Sequence, residues 1–269
     1  MAKERLDVLL VNRGFFPSRE RARALIMEGK VLVNERKIDK PGTAVKEDAV
    51  IRLLGEDIPF VSRGGLKLSK ALDTFSLSLK GKVMADIGAA TGGFTDCALQ
   101  RGARKVYAID VGYGQLAWKL RTDERVVNME RTNIRQVTQE MFAYPLDFAS
   151  IDVAFISLSK VLPTVYEILS PSGEVVALIK PQFEAGREHV GKKGVVRDPS
   201  IHISVIRDVF QTADNLGFYP TQLTFSPVKG PEGNIEYLVH LEKVPSAPAE
   251  QETIHIENIV QEAHLTLTK

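Results

Sequence analysis

Apolar and polar positions fall into two kinds of pattern along the 269 residues, and the change comes near residue 54. In the first stretch Leu6, Leu9 and Leu10 form one stripe on a short helix that Gly14 ends. Ser18 is placed to cap a second helix, "SRERARALIMEG", with Ala22, Leu25 and Ile26 on its apolar face and Gly29 at its end. "KVLVN" and "DAVIRL" then predict short strands around the turn "KPGT". Residues 1–54 therefore read as a small α+β domain, and residues 55–63, within "GEDIPFVSRGG", as a linker.

From 64 to 243 strand-length apolar runs alternate with helically spaced segments. The pattern predicts strands at 82–88, 105–110, 126–130, 148–155 and 174–180, with helices around 64–75, 92–101, 114–121, 158–169 and 199–216. Two more strands, near 219–228 and 234–242, flank the polar turn "KGPEGN" and predict a closing hairpin. Strands apolar on both sides, alternating with helices, imply a mostly parallel sheet covered on both faces. The expected fold is a Rossmann-like α/β domain with seven strands, the last antiparallel. "VPSAPAE" breaks the pattern and leaves a tail, 244–269, whose end (251–269) has helical potential.

Charge adds an asymmetry. Residues 1–52 carry 12 Lys and Arg against 8 Asp and Glu, a net of +4, and the remainder has a net of −3. A basic module ahead of a near-neutral one fits nucleic-acid docking followed by a working part. Arg19, Arg21 and Arg23 crowd the start of the second helix, where positive charge opposes the helix dipole and phosphate would be welcome. Arg5, Lys30 and Arg63 join them as candidate RNA contacts. The single cysteine, Cys97, permits no internal disulfide and fits a reducing compartment. The charged start "MAKERLDVLL" has no signal-peptide core, and no apolar run approaches the ~20 residues needed to span a bilayer, so a cytoplasmic protein is expected.

Candidate chemistry gathers at strand ends. "DIGAATGGF" sets Asp86 at the end of the first strand of the larger domain, with Gly88, Gly92 and Gly93 in the following turn. Glycine there lets a ligand approach the backbone closely. Asp110 closes the next strand 24 residues on, where an acid can accept both ribose hydroxyls of a nucleoside. A dinucleotide site wants G-x-G-x-x-G, but Ala90 takes the middle glycine position and an acid precedes the first. That acid would repel a pyrophosphate and suits S-adenosyl-L-methionine better than NAD. The candidate cofactor residues are Asp86, Gly88, Ala89, Ala90, Thr91, Gly92, Gly93, Phe94, Asp110, Asn133 and Asp152. Four further ionisable residues stand in apolar or tight settings: Lys67, Asp152, Lys180 and Glu236. Each alone reads as half of a buried ion pair.

The order "S-R-x-x-A-x-x-L-I-x-x-G-x-V-x-V-N" in residues 4–52 resembles the small RNA-binding domain named after ribosomal small-subunit protein four. The set Lys67, Asp152, Lys180 and Glu236 resembles the catalytic tetrad of FtsJ-type ribose 2′-O-methyltransferases. "VSRGGLKL", "DIGAATGGFTDC", "IDVGYGQLAWKLR", "ERTNIR", "IKPQFE", "GVVRDP" and "SPVKGPEGNIEYL" are similar to the TlyA family, often called haemolysin A. Thr91 departs from the FtsJ pattern, which usually has proline there, and matches TlyA. The resemblance implies methylation of a cytidine ribose 2′-hydroxyl in rRNA, with S-adenosylmethionine as donor and a ribosomal subunit or its rRNA as partner. A lysine is a chemically sensible base for so poor a nucleophile, and the resemblance makes Lys180 that base. Asp152 and Glu236 would orient it, and Lys67 would position the hydroxyl or an adjacent phosphate.

Other features read as bland. "RLD" at Arg5–Asp7 resembles a pseudouridine synthase word but lies in the opening helix and is structural. The five histidines show no metal-ligand spacing, so no metal is expected. Trp118, Phe94 and Cys97 are expected in packing. A membrane-damaging cytolysin would need an inserting segment, and a non-catalytic RNA-binding factor would not need four polar residues around a cofactor turn.

Overall fold

A computed structural model describes residues 3–16, 18–34, 36–54, 58–191, 193–243 and 253–268. The chain divides into two compact units, Met1–Asp57 and Ile58–Lys269. The stretch "VPSAPAE" at 244–250 and the first linker residues, 55–57, lie outside the described residues.

The first unit runs β1 (Lys3–Arg5), α1 (Leu6–Asn12), α2 (Arg19–Met27), β2 (Val31–Val33), β3 (Arg36–Ile38), β4 (Ala44–Lys46) and β5 (Ile51–Leu53). The Ser18 hydroxyl accepts the Arg21 N–H at 3.3 Å, the cap its position predicts. Strand β2 pairs antiparallel with β3 and β5, and β1 with β4. Leu6, Leu10, Ala22, Ile26 and Val31 are fully buried at the centre of this unit.

The second unit contains α3 (Gly64–Thr74), β6 (Val83–Ile87), α4 (Gly93–Gln100), β7 (Lys105–Ile109), α5 (Trp118–Arg121), β8 (Val126–Met129), β9 (Leu146–Ile151), α6 (Leu162–Ile168), β10 (Leu169–Ile179), α7 (Pro181–Glu184), α8 (Pro199–Leu216), β11 (Phe218–Phe225), β12 (Tyr237–Lys243) and α9 (Ile256–Leu267). Seven strands lie in the order β11-β12-β10-β9-β6-β7-β8. Pairs β6–β7, β7–β8, β6–β9 and β9–β10 are parallel, and β12 runs antiparallel to both its neighbours. Two-residue alternation splits the core in two. Val83, Ala85 and Ile87 join the layer under α6, α8 and α9, while Met84, Phe148 and Val176 join the one under α3 and α4.

Several boundaries differ from the sequence pattern. The strand expected at 148–155 is Leu146–Ile151, because after the Asp152 N–H reaches the Ile87 carbonyl (2.9 Å) the chain turns at Phe155, φ +61°. The helix expected at 114–121 is only Trp118–Arg121, since the N–H groups of Gln115 and Leu116 are captured by the Glu130 carboxylate. The last strand starts at Tyr237, which leaves Glu236 in the loop before it. Asn234, expected in that strand, instead accepts the Val196 N–H and donates to the Gly194 carbonyl. Segment 58–63, expected as linker, packs into the second unit: Phe60 is buried against Gly65, and the Val61 N–H donates to Asp96 at 2.8 Å. Helix α9 is part of this unit as well, its Val260 and Ala263 buried in the core layer beside α8.

Candidate active site

The chain runs β6 to β8 towards one edge of the sheet, then crosses back to β9 and β10 on the other side. The strand order therefore reverses between β6 and β9, where open α/β sheets hold ligands beyond the carboxyl ends of their strands. Here that edge carries Gly88 after β6, Asp110 after β7, Asp152 after β9 and Lys180 after β10. A cleft of about 460 Å³ opens there, lined among others by Gly88, Ala90, Asp110, Asn133 and Asp152.

Gly88 has φ +83°, and a Cβ on it would stand 2.5 Å from the Asp152 carbonyl oxygen. Only glycine allows β6 and β9 to part this closely. The Ala90 N–H donates to Asp110 Oδ2 at 2.8 Å and the Gly112 N–H to Oδ1 at 2.6 Å. Asp110 thus ties the two loops and, with about four acceptor sites, keeps capacity for ribose hydroxyls. The other candidates build the turn without lining the cleft. Ala89 donates its N–H to Ile109, Thr91 accepts the Ala117 N–H, and Phe94 is buried. A Cβ on Gly92 would meet Leu120 at 2.3 Å, and one on Gly93 the Gly65 nitrogen at 2.8 Å, so these glycines set helix packing.

Asp86 does not line the cleft. Alternation along β6 turns it to the α4 side, where it is fully buried and accepts from Thr95 Oγ1 (2.6 Å) and Ser150 Oγ (3.0 Å). Burial pushes its carboxyl up to about 6. Its role is inside the sheet, behind the turn.

The four polar residues meet in one chain of ion pairs. Lys180 Nζ lies 2.6 Å from Asp152 Oδ1, Lys67 Nζ 3.5 Å from Asp152 Oδ2, and Lys67 Nζ 2.8 Å from Glu236 Oε2. Glu236 is buried at 1% exposure, and both lysines are nearly so. Charges alternate along the chain, which is what makes their burial tolerable. Gln182 Nε2 reaches Glu236 Oε1 at 3.5 Å, an orienting contact that the sequence reading did not include. Asp152 belongs to both the ion-pair chain and the cleft wall.

Residues missed from the sequence include Val111, Gln115, Thr132, Ile134, Arg135 and Phe155 in the cleft wall. The word "ERTNIR" already pointed to this stretch through Asn133, whereas Phe155 gave no signal beyond its apolar strand. Phe155 is 90% exposed, with its ring 5.0 Å from that of Phe183. Trp118, expected in packing, is 77% exposed, because α5 buries Leu120 and turns the indole outwards; Phe94 and Cys97 are buried.

In the first unit, Asp7 is fully buried between Arg5 (3.0 Å) and Arg19 (3.0 Å), which hold its carboxyl down to about 2. Arg5 and Arg19 thus anchor the fold while about half of each side chain stays exposed. Arg23 and Lys30 are exposed, as is Arg63 in the second unit. Among the described residues no group of three or more His, Cys, Asp or Glu is placed to hold a metal ion, and no helix is long and apolar enough to cross a membrane.

The profile of FtsJ-like methyltransferases matches residues 60–243, the stretch that carries this whole constellation. The chain belongs to the FtsJ-like methyltransferase family. Residues 4–51 match the S4 domain. A protein of Bacillus subtilis (strain 168), provisionally named the rRNA methyltransferase YqxC, is 52% identical over 98% of this chain and 95% of its own. The 16S/23S rRNA (cytidine-2′-O)-methyltransferase TlyA of Mycobacterium tuberculosis is 41% identical over 94% of this chain and 96% of its own. A solved structure from Streptococcus thermophilus, provisionally named a hemolysin, superposes with a TM-score of 0.78 at 48% identity, covering 100% of this chain and 98% of the other. In fold alone, the FtsJ-like unit also resembles an S-adenosylmethionine-dependent methyltransferase from Mesorhizobium loti, with a TM-score of 0.50 at 15% identity over 67% of this chain and all of the other.

Proposed function

We propose that this FtsJ-like enzyme methylates the ribose 2′-hydroxyl of a cytidine in 16S or 23S rRNA, with S-adenosylmethionine as donor. The observation that carries the reading is the ion-pair chain Lys180–Asp152–Lys67–Glu236 at the edge of the cleft, sharing Asp152 with it. Two relatives named as rRNA methyltransferases, at 52% and 41% identity, support the same substrate class.

The cleft suits the donor. Its volume lies within the range of small-molecule sites, roughly 300–1,000 Å³. Asp110 offers acceptors for ribose hydroxyls, Val111 and Ile134 offer apolar walls for a base, and Gly88 and Ala90 bring backbone close. When bound, S-adenosylmethionine supplies an electrophilic methyl group on a sulfonium. The rest of the chemistry belongs to the side chains. Lys180, with one carboxylate neighbour, first releases its own proton to solvent. As the neutral amine it then takes the proton from the hydroxyl, while the oxygen takes the methyl group from the sulfonium, which is left as the thioether. Lys67, held between two carboxylates, steadies the hydroxyl or a phosphate beside it. Asp152 fixes Lys180 at 2.6 Å and ties it to the cleft wall, so base and donor share one rigid reference. Phe155 and Phe183 present ring faces at the same edge for the target base. The S4 domain supplies docking to RNA, and the place of action is the cytoplasm, where ribosomes are.

The test is to incubate the protein with labelled S-adenosylmethionine and separated ribosomal subunits, then map ribose methylation by resistance to alkaline cleavage. Label in one cytidine ribose, lost in Lys180→Ala, supports the reading. Label on a base, or no transfer to either subunit or its naked rRNA, overturns it.

A further inference from the structure

Among the described residues, several of the large apolar side chains most exposed to solvent belong to the two segments that follow β7 and β9 and contribute to the cleft wall: Val111, Tyr113 and Trp118 after β7, and Phe155 after β9. Such a concentration marks an interaction surface. Tyr113 (68% exposed) sits on the β7–α5 loop and Trp118 (77%) opens α5 at its end; neither lines the cleft, whereas Val111 and Gln115 on the same loop do.

This loop is firmly held. The Glu130 carboxylate accepts the N–H groups of Gln115 (2.9 Å) and Leu116 (3.3 Å), the Arg131 N–H reaches the Gly112 carbonyl (2.9 Å), and the Ala117 N–H reaches Thr91 (3.1 Å). The rings are therefore presented by a fixed frame. Tyr113 stands between two glycines, and the guanidinium of Arg131 lies 4.0 Å from its ring centroid. Arg131 itself has φ +57°, a left-handed conformation uncommon in a non-glycine residue. Charge is left over here too. Lys119 and Arg125 pair with Asp96 and Asp123 at 2.9 and 2.7 Å, and Arg121 pairs with Glu130, but among the described residues no carboxylate lies within 4 Å of Arg131 or Arg135.

We propose that Tyr113 and Trp118 form a stacking platform for unpaired nucleotides of the RNA substrate flanking the one that enters the cleft. This rests on the reading of the enzyme as an RNA methyltransferase. A ribose inside the cleft must leave its helix, so neighbouring bases lose a stacking partner. Aromatic and guanidinium planes replace it, and cations without carboxylate partners answer the phosphates. Trp, Tyr and Arg also mark protein interfaces. Position decides for RNA, since Tyr113 and Trp118 stand within a few residues of Val111 and Gln115, which line the cleft.

Trp118 is the only tryptophan of the chain, so its emission reports on the platform directly. The full-length protein is titrated, without methyl donor, with 5′-labelled octacytidylate and with a paired RNA duplex of equal length, binding being followed by anisotropy. Single-stranded RNA should quench Trp118 and shield it from acrylamide, and the duplex should not. In ribosomal-subunit methylation, Trp118→Ala should raise KM about tenfold with kcat within about twofold, the loss expected for one stacked base, and Trp118→Phe should restore most of it. The side chain is exposed, so the variant should fold as the wild type does. Absence of octacytidylate binding, unchanged emission at saturation, or an unchanged KM in Trp118→Ala overturns the platform, and an unchanged emission with a raised KM points to a protein neighbour instead. Failure of the wild type to methylate any RNA would strike the underlying reading, while the quenching measurement stands independently of it.

Discussion

Single side chains at this site are tied by charge, and charge makes them testable. Lys180→Ala removes the proposed base but leaves Asp152 with Lys67, so donor binding by calorimetry should change little while kcat falls by roughly 10²-fold or more. Lys180→Arg should not restore the rate, because a guanidinium stays protonated at any working pH. Near-wild-type turnover in the arginine variant would make Lys180 an electrostatic residue. Asp86 provides a second test at this scale. Burial raises its carboxyl to about 6, against about 3.9 in the unfolded chain, so the folded protein holds the extra proton between those values. Stability from this group is complete below about pH 4 and is lost as pH rises through about 6, at most about 3 kcal/mol. Asparagine has nothing to ionise. The melting temperature of Asp86→Asn should therefore gain on the wild type from pH 4 to pH 7, and a gap constant across that range would show that the carboxyl is not ionised against its environment.

Turns and helix starts, not strands, decide where these side chains stand. Gly88→Ala places a Cβ 2.5 Å from the Asp152 carbonyl at φ +83°. We expect a stability loss of at least about 1–2 kcal/mol by thermal melting and weakened donor binding, because Asp152 would be pushed from both the cleft and Lys180. A variant with unchanged melting and binding would mean that the ends of β6 and β9 yield easily. The alternation of apolar runs made this sheet legible in advance, and the resemblance to FtsJ-type enzymes brought out Lys67, Asp152, Lys180 and Glu236, which the structure joins in one chain. Asp86 stands away from the cleft for a geometric reason. Its position at a strand end suggested the cleft, but the two-residue alternation of β6 turns it under α4, and only its partners Thr95 and Ser150 reveal this. Trp118 and Phe155 were missed because exposure follows from loop geometry, here Glu130 capturing Gln115 and Leu116 and the left-handed Phe155, which no periodicity encodes.

At the scale of the whole molecule the two units divide the labour by charge. The first 52 residues carry a net +4 and match the S4 domain, while the rest, with a net of −3, holds the cleft and the ion-pair chain. Phosphate contacts release counterions, so each one lost should flatten the dependence of log K on log salt by about 0.7–0.9. The arginines of α2 are not equivalent for this test. Arg19 helps to hold the buried Asp7, so its removal leaves that carboxylate with Arg5 alone and confounds binding with folding. Arg23 and Lys30 are exposed and can be changed without that cost. If both meet phosphates, the double variant Arg23→Ala, Lys30→Ala should lower the salt slope of rRNA binding by about 1.4–1.8 and raise KM for the RNA. Affinity for S-adenosylmethionine, and kcat at saturating RNA, should stay as in the wild type. An unchanged slope would move the docking surface of the S4 domain away from Arg23 and Lys30, and a fall in kcat would mean that the basic unit orients the RNA for transfer as well as binding it.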